Sequence, residues 1–267
     1  MDAWVESGIT DGVGTVTLSS WLYFYDFVHE RFADDRILDQ PSYVFRGQRS
    51  SHWRLVSTLD RLLGDADEAE RAAHLQRFQA AARGRRGPNP PLIEDENDWW
   101  ALGQHFGLST PLLDWTTSPF VGAFFAFVQD GESRADRTEH RAVFALHEPL
   151  VREKSDRVNV RLGRGPGYSL HTGIEFVRPQ SDENPRLLNQ GGLFTRCPDG
   201  DDIESWVRCN FEGENDGYVL MKILIPDRDR DLCLRDLNRM NINHLSLFPD
   251  LYGASQYCNL HRLIPNY

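Results

Sequence analysis

Cysteine is scarce in this sequence, and its spacing argues against the usual structural uses of the residue. Only four cysteines occur in 267 residues, namely Cys197, Cys209, Cys233 and Cys258. No two of them form a Cys-x-x-Cys pair, which argues against a zinc site, and four are too few for a disulfide framework in so long a chain. We therefore expect reduced thiols, a cytoplasmic protein and no bound metal.

Long apolar runs are also absent. The apolar stretch Phe120–Val128 is far shorter than the roughly 20 residues that a membrane-spanning helix needs. The segment Met1–Thr10 has no basic region followed by an apolar core, so no signal peptide is predicted. We expect neither a membrane span nor a membrane partner.

Three common catalytic motifs are missing from the sequence. The patterns Gly-x-x-x-x-Gly-Lys-Ser/Thr, His-Glu-x-x-His and Gly-x-Ser-x-Gly do not occur. Their absence removes the main sequence support for P-loop nucleotide hydrolysis, zinc proteolysis and serine hydrolases built on a nucleophile elbow.

Basic residues are outnumbered by acidic ones, 29 to 40, which gives a net charge of −11. An acidic surface repels a nucleic-acid backbone, so the composition argues against a broad nucleic-acid-binding surface. It remains compatible with a small basic pocket that binds one phosphate group. Hydrophobic residues make up 40% of the chain and aromatic residues 11%, which is enough for a packed core.

Local patterns predict helices and strands that alternate irregularly. Helical spacing of apolar residues and capping residues predict helices at Leu18–Phe32, Asp65–Arg83, Asp95–Phe106, Pro119–Gln129, Arg228–Met240 and Leu251–Leu260. Strands or extended segments are predicted at Tyr43–Phe45, Pro111–Trp115, Arg141–His147 and Tyr218–Ile225. Residues 150–215 are polar, and we interpret them as irregular.

This irregular alternation favours an α+β fold over a regular parallel α/β fold. We predict one domain over residues 1–267, with a mixed, mostly antiparallel β core flanked by helices. An N-terminal helix is expected at about residues 18–33, and the core at about residues 40–260.

Four polar clusters have compositions that suggest a functional site. They are Phe45–Gln48, Gln104–Thr116, Asn184–Phe194 and Ser246–Gly253. The second cluster lies within residues 99–127, which hold the densest part of the predicted site. Polar residues at the ends of helices and strands commonly converge on a cleft.

Each key side chain in these clusters has a structural and a functional interpretation. Arg46 either forms a structural ion pair or presents its forked guanidinium to a phosphate or carboxylate. Asp114 is either a general base, a ligand for a ribose hydroxyl or a backbone cap. His105 is either catalytic or stabilised at a helix C-terminus, and Asp250 is either a helix N-cap or a site acid. Gly47 would let the backbone approach a ligand closely.

Taken together, the clusters resemble the FRG-domain family, which is named for its Phe/Tyr-Arg-Gly motif. The resemblance extends over roughly residues 40–260. It rests on Phe45-Arg46-Gly47-Gln48, Trp53, Leu55, Gln104-His105-x-Gly107-Leu108-x-Thr110-x-Leu112-Leu113-Asp114-Trp115-Thr116-x-Ser118-Pro119, Ala123, Phe125, Ala126, Arg186, Gln190, Gly192, Phe194 and Phe248-Pro249-Asp250-Leu251-x-Gly253. One departure is Pro111, where the family usually has a basic residue.

A second resemblance links the same residues to ADP-ribosyltransferases of the Arg/Ser/Glu type, and it implies an ADP-ribosyltransferase-like fold. Tyr43-Val44-Phe45-Arg46-Gly47 is similar to the first motif of those enzymes, and Thr116-Thr117-Ser118 is similar to their Ser-Thr-Ser motif. The resemblance implies that Arg46 holds the pyrophosphate of NAD, the substrate, and that Thr116 and Ser118 line the pocket. The implied NAD-binding set is Arg46, Gly47, Gln48, Thr110, Thr116, Ser118, Arg186 and Gln190.

The third motif of those enzymes, Gln/Glu-x-Glu, is not matched. The corresponding segment here is Gln190-Gly191-Gly192, which contains no acid. The catalytic acid must then come from elsewhere, and the candidates in order are Asp114, Asp250 and Glu175.

Three functions follow from these interpretations. The first is an NAD-dependent ADP-ribosyltransferase or NAD hydrolase, a toxin or phage-defence effector whose acceptor is a protein, a nucleic acid or water. An antitoxin or other partner protein would accompany it. The second is a module that binds or senses a nucleotide without turnover. The third is a nuclease or other hydrolase that uses His105 and Asp114.

Overall fold

The computed structural model describes residues 2–33, 36–37, 40–64, 67–129, 138–161, 172–179, 189–198 and 200–267. These residues form ten strands, which are, in chain order, β1 Trp4–Glu6, β2 Val13–Leu18, β3 Arg36–Ile37, β4 Gln40–Pro41, β5 Tyr43–Gln48, β6 Leu112–Thr116, β7 His140–His147, β8 Glu175–Val177, β9 Gly192–Arg196 and β10 Leu220–Pro226.

Helices lie between and after these strands along the chain. They are α1 Phe24–Phe32, α2 Thr58–Leu63, α3 Glu68–Ala82, α4 Glu96–His105, α5 Pro119–Phe127, α6 Glu148–Arg161, α7 Ile203–Asn210, α8 Arg230–Arg239, α9 His244–Leu247 and α10 Leu251–Leu263. Short 3₁₀ helices at Trp21–Tyr23 and Asp227–Asp229 precede α1 and α8. Within the described residues, none of these helices combines the length and the apolar character needed to cross a bilayer.

Eight of the strands form one mixed sheet in the order β1-β2-β10-β7-β5-β6-β9-β8. The pair β2 and β10 is parallel, and the other neighbouring pairs in this sheet are antiparallel. Strands β3 and β4 form a separate antiparallel pair. The sheet confirms the predicted α+β fold with a mixed, mostly antiparallel β core flanked by helices.

The two faces of the sheet bury different sets of side chains, because successive residues of a strand point to opposite sides. Phe45 of β5 and Val143 of β7 belong to the cluster that α1, α5 and α8 cover. Val44 and Phe144 belong to the cluster on the other face, together with residues of α6 and α7. A smaller cluster joins α2, α3 and α4 to β6.

The predicted start of the N-terminal helix was wrong. Leu18 ends β2, where it pairs with Trp4 and is almost fully buried. The Ser20 hydroxyl then accepts a hydrogen bond from the Leu22 amide, and α1 itself begins only at Phe24. The apolar residues that suggested one long helix therefore belong to a strand, a 3₁₀ turn and a shorter helix.

The interpretation of residues 150–215 as irregular was also wrong. The described part of this segment contains most of α6, both β8 and β9, and α7. Helix α6 is largely polar and shows no clear apolar stripe in its sequence, so its spacing did not indicate a helix. Its Glu148 forms ion pairs with Arg152 and Arg178. Strand β8 has only three residues, too few to establish an alternating pattern.

Candidate functional site

The candidate site lies where two neighbouring strands of the sheet separate. Strand β5 pairs with β7 along all six of its residues, but it pairs with β6 only between Phe45 and Thr116. A cleft of about 380 Å³ opens at this point. Its lining consists of Phe45, Arg46, Gly47, Gln48, Arg49, Trp53, Arg61, Gln104, His105, Asp114, Trp115, Thr116, Phe125, Gln129, Gln190, Phe194 and Phe248.

Arg46 bridges the gap between the two strands. Its Nη1 donates a hydrogen bond of 2.7 Å to the backbone carbonyl of Asp114, and lies 3.5 Å from Asp114 Oδ2. Burial lowers the pKa of Arg46, and the nearby Arg61 lowers it further, whereas Asp114 opposes both effects. The guanidinium is thus a largely buried cation with one nearby carboxylate, and a bound anion would offset part of its desolvation.

Asp114 has a fixed position, although its side chain is 63% exposed. Gln104 Nε2 donates a 2.7 Å hydrogen bond to Asp114 Oδ1, while the Thr110 hydroxyl donates to Gln104 Oε1. Thr110 is itself fully buried, and its amide donates to the Thr58 hydroxyl. This chain of hydrogen bonds holds the exposed carboxylate in the cleft beside Arg46.

The cleft is locally cationic in a chain with a net charge of −11. Among the described residues, its lining carries three arginines, Arg46, Arg49 and Arg61, but one acidic side chain, that of Asp114. His105 also lines it. Because a concave wall with one dominant sign of charge attracts ligands of the opposite sign, this arrangement suits an anion.

Aromatic rings form the walls at two places in the cleft. The guanidinium of Arg49 lies 4.9 Å from the centroid of the Trp53 ring. The rings of Phe125 and Phe248 meet edge to face with centroids 6.1 Å apart. His244 packs 5.6 Å from Phe248, and burial lowers the pKa of His244 to about 4, so it supports this wall as an uncharged ring.

Gly47 lines the cleft, but the packing of a helix explains why this position lacks a side chain. A Cβ atom built at Gly47 would lie 2.0 Å from the carbonyl oxygen of Gly122 and 2.4 Å from the amide nitrogen of Ala126. Both atoms belong to the backbone of α5, which cannot move away without losing its contacts with β5. Close approach of the helix is by itself enough to require glycine here.

Replacing Gly47 with alanine is expected to lower the free energy of unfolding by about 2–3 kcal/mol, because the added methyl group forces α5 off the sheet. Chemical denaturation of the two proteins measures the change. Gly8→Ala is the matched control, since a Cβ at Gly8 meets nothing within 4 Å. Equal stability of Gly47→Ala and Gly8→Ala would contradict the packing argument.

Thr116, Ser118 and Gln190 hold the wall of the cleft together. The Thr116 hydroxyl donates a 2.6 Å hydrogen bond to the Gln190 carbonyl and accepts one from the Ser118 amide. The Ser118 hydroxyl caps α5 by accepting a bond from the Val121 amide, as predicted from the Ser-Pro pair. Gln190 Nε2 donates to the carbonyl of Leu247 and thereby connects this wall to α9.

Other predicted site residues do not line this cleft. Asp250 Oδ1 accepts a hydrogen bond from the Gly253 amide and serves as the N-cap of α10. Glu175 lies on β8, where it accepts a 3.0 Å hydrogen bond from Asn97. Asp250 and Glu175 do not line the cleft, and Thr110 and Ser118 do not line it either. Arg186 lies outside the described residues.

Arg49 and Arg61 also line the cleft, although the sequence motifs did not single them out. Arg49 follows the last residue of β5, and Arg61 lies on α2. Their positive charge was the available signal, together with the closeness of Arg49 to the Phe-Arg-Gly motif, but many surface arginines share such signals. In the described parts of the chain, no group of three or more histidine, cysteine or acidic side chains comes together in a way that could hold a metal ion.

Comparison with known proteins found a match to one family model, over the part of the chain that carries the first motif residues. Residues 41–135 match the model of the FRG domain, which includes Arg46, His105 and Asp114. The later segments of the resemblance, Asn184–Phe194 and Ser246–Gly253, lie outside the matched residues. Neither the curated proteins nor the solved structures gave a match. The match confirms the resemblance to the FRG-domain family over its central block, residues 41–135.

Proposed function

We propose that the cleft binds NAD and that the protein cleaves the bond between nicotinamide and ribose, passing ADP-ribose to a macromolecule or to water. The observation that carries this proposal is the pairing of Arg46 with Asp114 inside a cationic cleft with aromatic walls. A volume of about 380 Å³ lies in the range typical of small-molecule sites.

Arg46 would bind the pyrophosphate of NAD. Its forked guanidinium can offer parallel hydrogen bonds to phosphate oxygens, a geometry that a lysine ammonium does not provide. Burial makes the interaction stronger than it would be on the surface, because less water competes for the charge. Arg49 and Arg61 would add to the attraction for the two negative charges of the pyrophosphate.

Asp114 would act on the ribose. As the bond from ribose C1′ to the nicotinamide nitrogen breaks, its electron pair leaves with nicotinamide and positive charge develops on the ribose. A carboxylate oriented in advance by Gln104 stabilises that charge without having to reorganise. The oxygen of water or of an acceptor hydroxyl then bonds to C1′, and its proton passes to Asp114 and on to solvent.

A nuclease is the second candidate, because His105 and Asp114 line the same cleft. A histidine and a carboxylate are a common pair for moving protons during phosphodiester cleavage, with Arg46 holding the phosphate. The net charge of −11 opposes binding of a long nucleic acid, so NAD is the preferred substrate.

Incubation of the purified protein with NAD, with and without cell lysate, tests the proposal through release of nicotinamide. The wild type is expected to release it, and Arg46→Lys is expected to bind NAD at least about tenfold more weakly because the fork is lost. Arg157→Lys is the control, since Arg157 forms an exposed pair with Glu153 away from the cleft.

The outcomes separate the candidate functions. Release that depends on lysate indicates transfer to a separate acceptor, and release without lysate indicates hydrolysis. A wild type that neither releases nicotinamide nor is thermally stabilised by NAD contradicts the proposal. Cleavage of labelled RNA under those conditions would then support the nuclease.

A further inference from the structure

We infer that Trp53 is the platform on which the cleft stacks the adenine ring of its ligand, with Arg49 supporting the opposite face of the indole. The inference deepens the proposed function, on which it rests for the identity of the ligand. It assigns the part of the cleft lined by Trp53 to adenine and the part lined by Phe125 and Phe248 to nicotinamide.

The exposure of Trp53 is the first observation. The residue is 43% exposed, yet it lines the cleft that contains Arg46 and Asp114. Arg49 stacks on the ring at 4.9 Å, and a planar ring that is covered on one side retains a second face for another ring. Stacking of a nucleobase on an aromatic side chain with a supporting arginine is a common way to bind a base.

The segment that carries Trp53 is held firmly in place. The Trp53 amide donates to the Ser50 carbonyl, and the Ser51 amide donates to the carbonyl of His140 on β7. Gln48 Nε2 donates a 3.2 Å bond to the carbonyl of Arg54 from inside the sheet. Because the ring is oriented before the ligand arrives, little conformational entropy is lost on binding.

Charge decides which ring of NAD belongs at this end. The nicotinamide ring of NAD is a pyridinium cation, whereas adenine is neutral at neutral pH. The guanidinium of Arg49, 4.9 Å from the Trp53 ring centroid, repels a cationic ring and tolerates a neutral one. The rings of Phe125 and Phe248 have negative faces and suit the cation.

Calorimetric titration with AMP and with ribose 5-phosphate tests the assignment without requiring turnover. Trp53→Leu is expected to weaken AMP binding by about 5- to 150-fold, the range for loss of one base–aromatic stack. Trp53→Phe is expected to restore most of the affinity. Ribose 5-phosphate lacks a base, so its affinity is expected to be the same for wild type and Trp53→Leu.

Trp99→Leu is the matched control, because Trp99 also stacks with an arginine, Arg86, but does not line the cleft. It is expected to bind AMP as the wild type does. Equal AMP affinity of Trp53→Leu and wild type would overturn the inference, as would a wild type that does not bind AMP.

The titration also separates this inference from the proposed function. If AMP binding depends on Trp53 but the protein releases no nicotinamide from NAD, the adenine platform is supported and the proposed chemistry is rejected. If the protein releases nicotinamide but Trp53→Leu binds AMP as tightly as the wild type, the proposed chemistry is retained and the adenine platform is rejected.

Discussion

Replacing Arg141 with methionine is expected to lower the free energy of unfolding by about 2–4 kcal/mol, because two backbone carbonyls lose a buried charged donor and the partly exposed Asp227 loses its ion-pair partner. Arg141 is 2% exposed and pairs with Asp227 at 2.5 Å. Its Nη1 also donates to the carbonyls of Ala126 and Gln129, so a single side chain caps the C-terminal end of α5. Methionine fills similar space but leaves these carbonyls without that donor.

Denaturant unfolding followed by circular dichroism measures the loss. Arg157→Met is the control, because the exposed pair of Arg157 with Glu153 should contribute less than about 1 kcal/mol. A loss of stability no larger than that of Arg157→Met would show that Arg141 does not anchor α5. The anchoring matters for the site, since α5 packs against Gly47 of β5.

Helices α4 and α5 could be predicted from local sequence because their ends carry their own signals, whereas α2, which carries Arg61, was not predicted. Asp95 accepts a hydrogen bond from the Asn97 amide, and Ser118 caps α5 with Pro119 in the first turn. Such signals depend only on residues that are neighbours in the chain. The predicted ends of α4 and α5 accordingly differ from the observed ends by only one or two residues.

Strands β8 and β2 could not be predicted in the same way. Strand β8 exists because Glu175 and Val177 pair with Arg196 and Phe194 on β9, and nothing within three residues reveals that partner. Likewise, β2 is held by its parallel pairing with β10, some 200 residues later in the chain. Pairing over such separations depends on the whole fold and not on a local pattern.

The same distinction explains which parts of the site the sequence revealed. Arg46 and Asp114 lie within recognisable motifs. The fold brings Arg46 Nη1 to within 3.5 Å of Asp114 Oδ2, across the opening between β5 and β6. The opening itself arises because β5 pairs with β6 only at Phe45 and Thr116, a feature with no local signal. For Asp250, the structure shows the N-cap interaction that was one of its two interpretations.

Asp114→Asn is expected to slow the release of nicotinamide from NAD by about 10²–10⁴-fold, because the amide cannot stabilise the positive charge that develops on the ribose. Asparagine has nearly the same shape, and its Oδ1 can still accept the hydrogen bond from Gln104. The bond from Arg46 to the backbone carbonyl at position 114 also remains. The variant should therefore fold normally, and it should bind NAD at least as tightly because the cleft loses a negative charge.

Asp250→Asn and Glu175→Gln are the matched controls, since both remove a carboxylate that does not line the cleft. Asparagine is as good an N-cap as aspartate, so Asp250→Asn should retain its stability as well as its rate. Single-turnover release of nicotinamide from all three variants, with NAD affinity measured by calorimetry, gives the comparison. A wild-type rate in Asp114→Asn would remove this carboxylate from the chemistry. A large loss in Asp250→Asn or Glu175→Gln instead would place the reacting ribose outside the cleft between β5 and β6, since the acid must touch the charge that it stabilises.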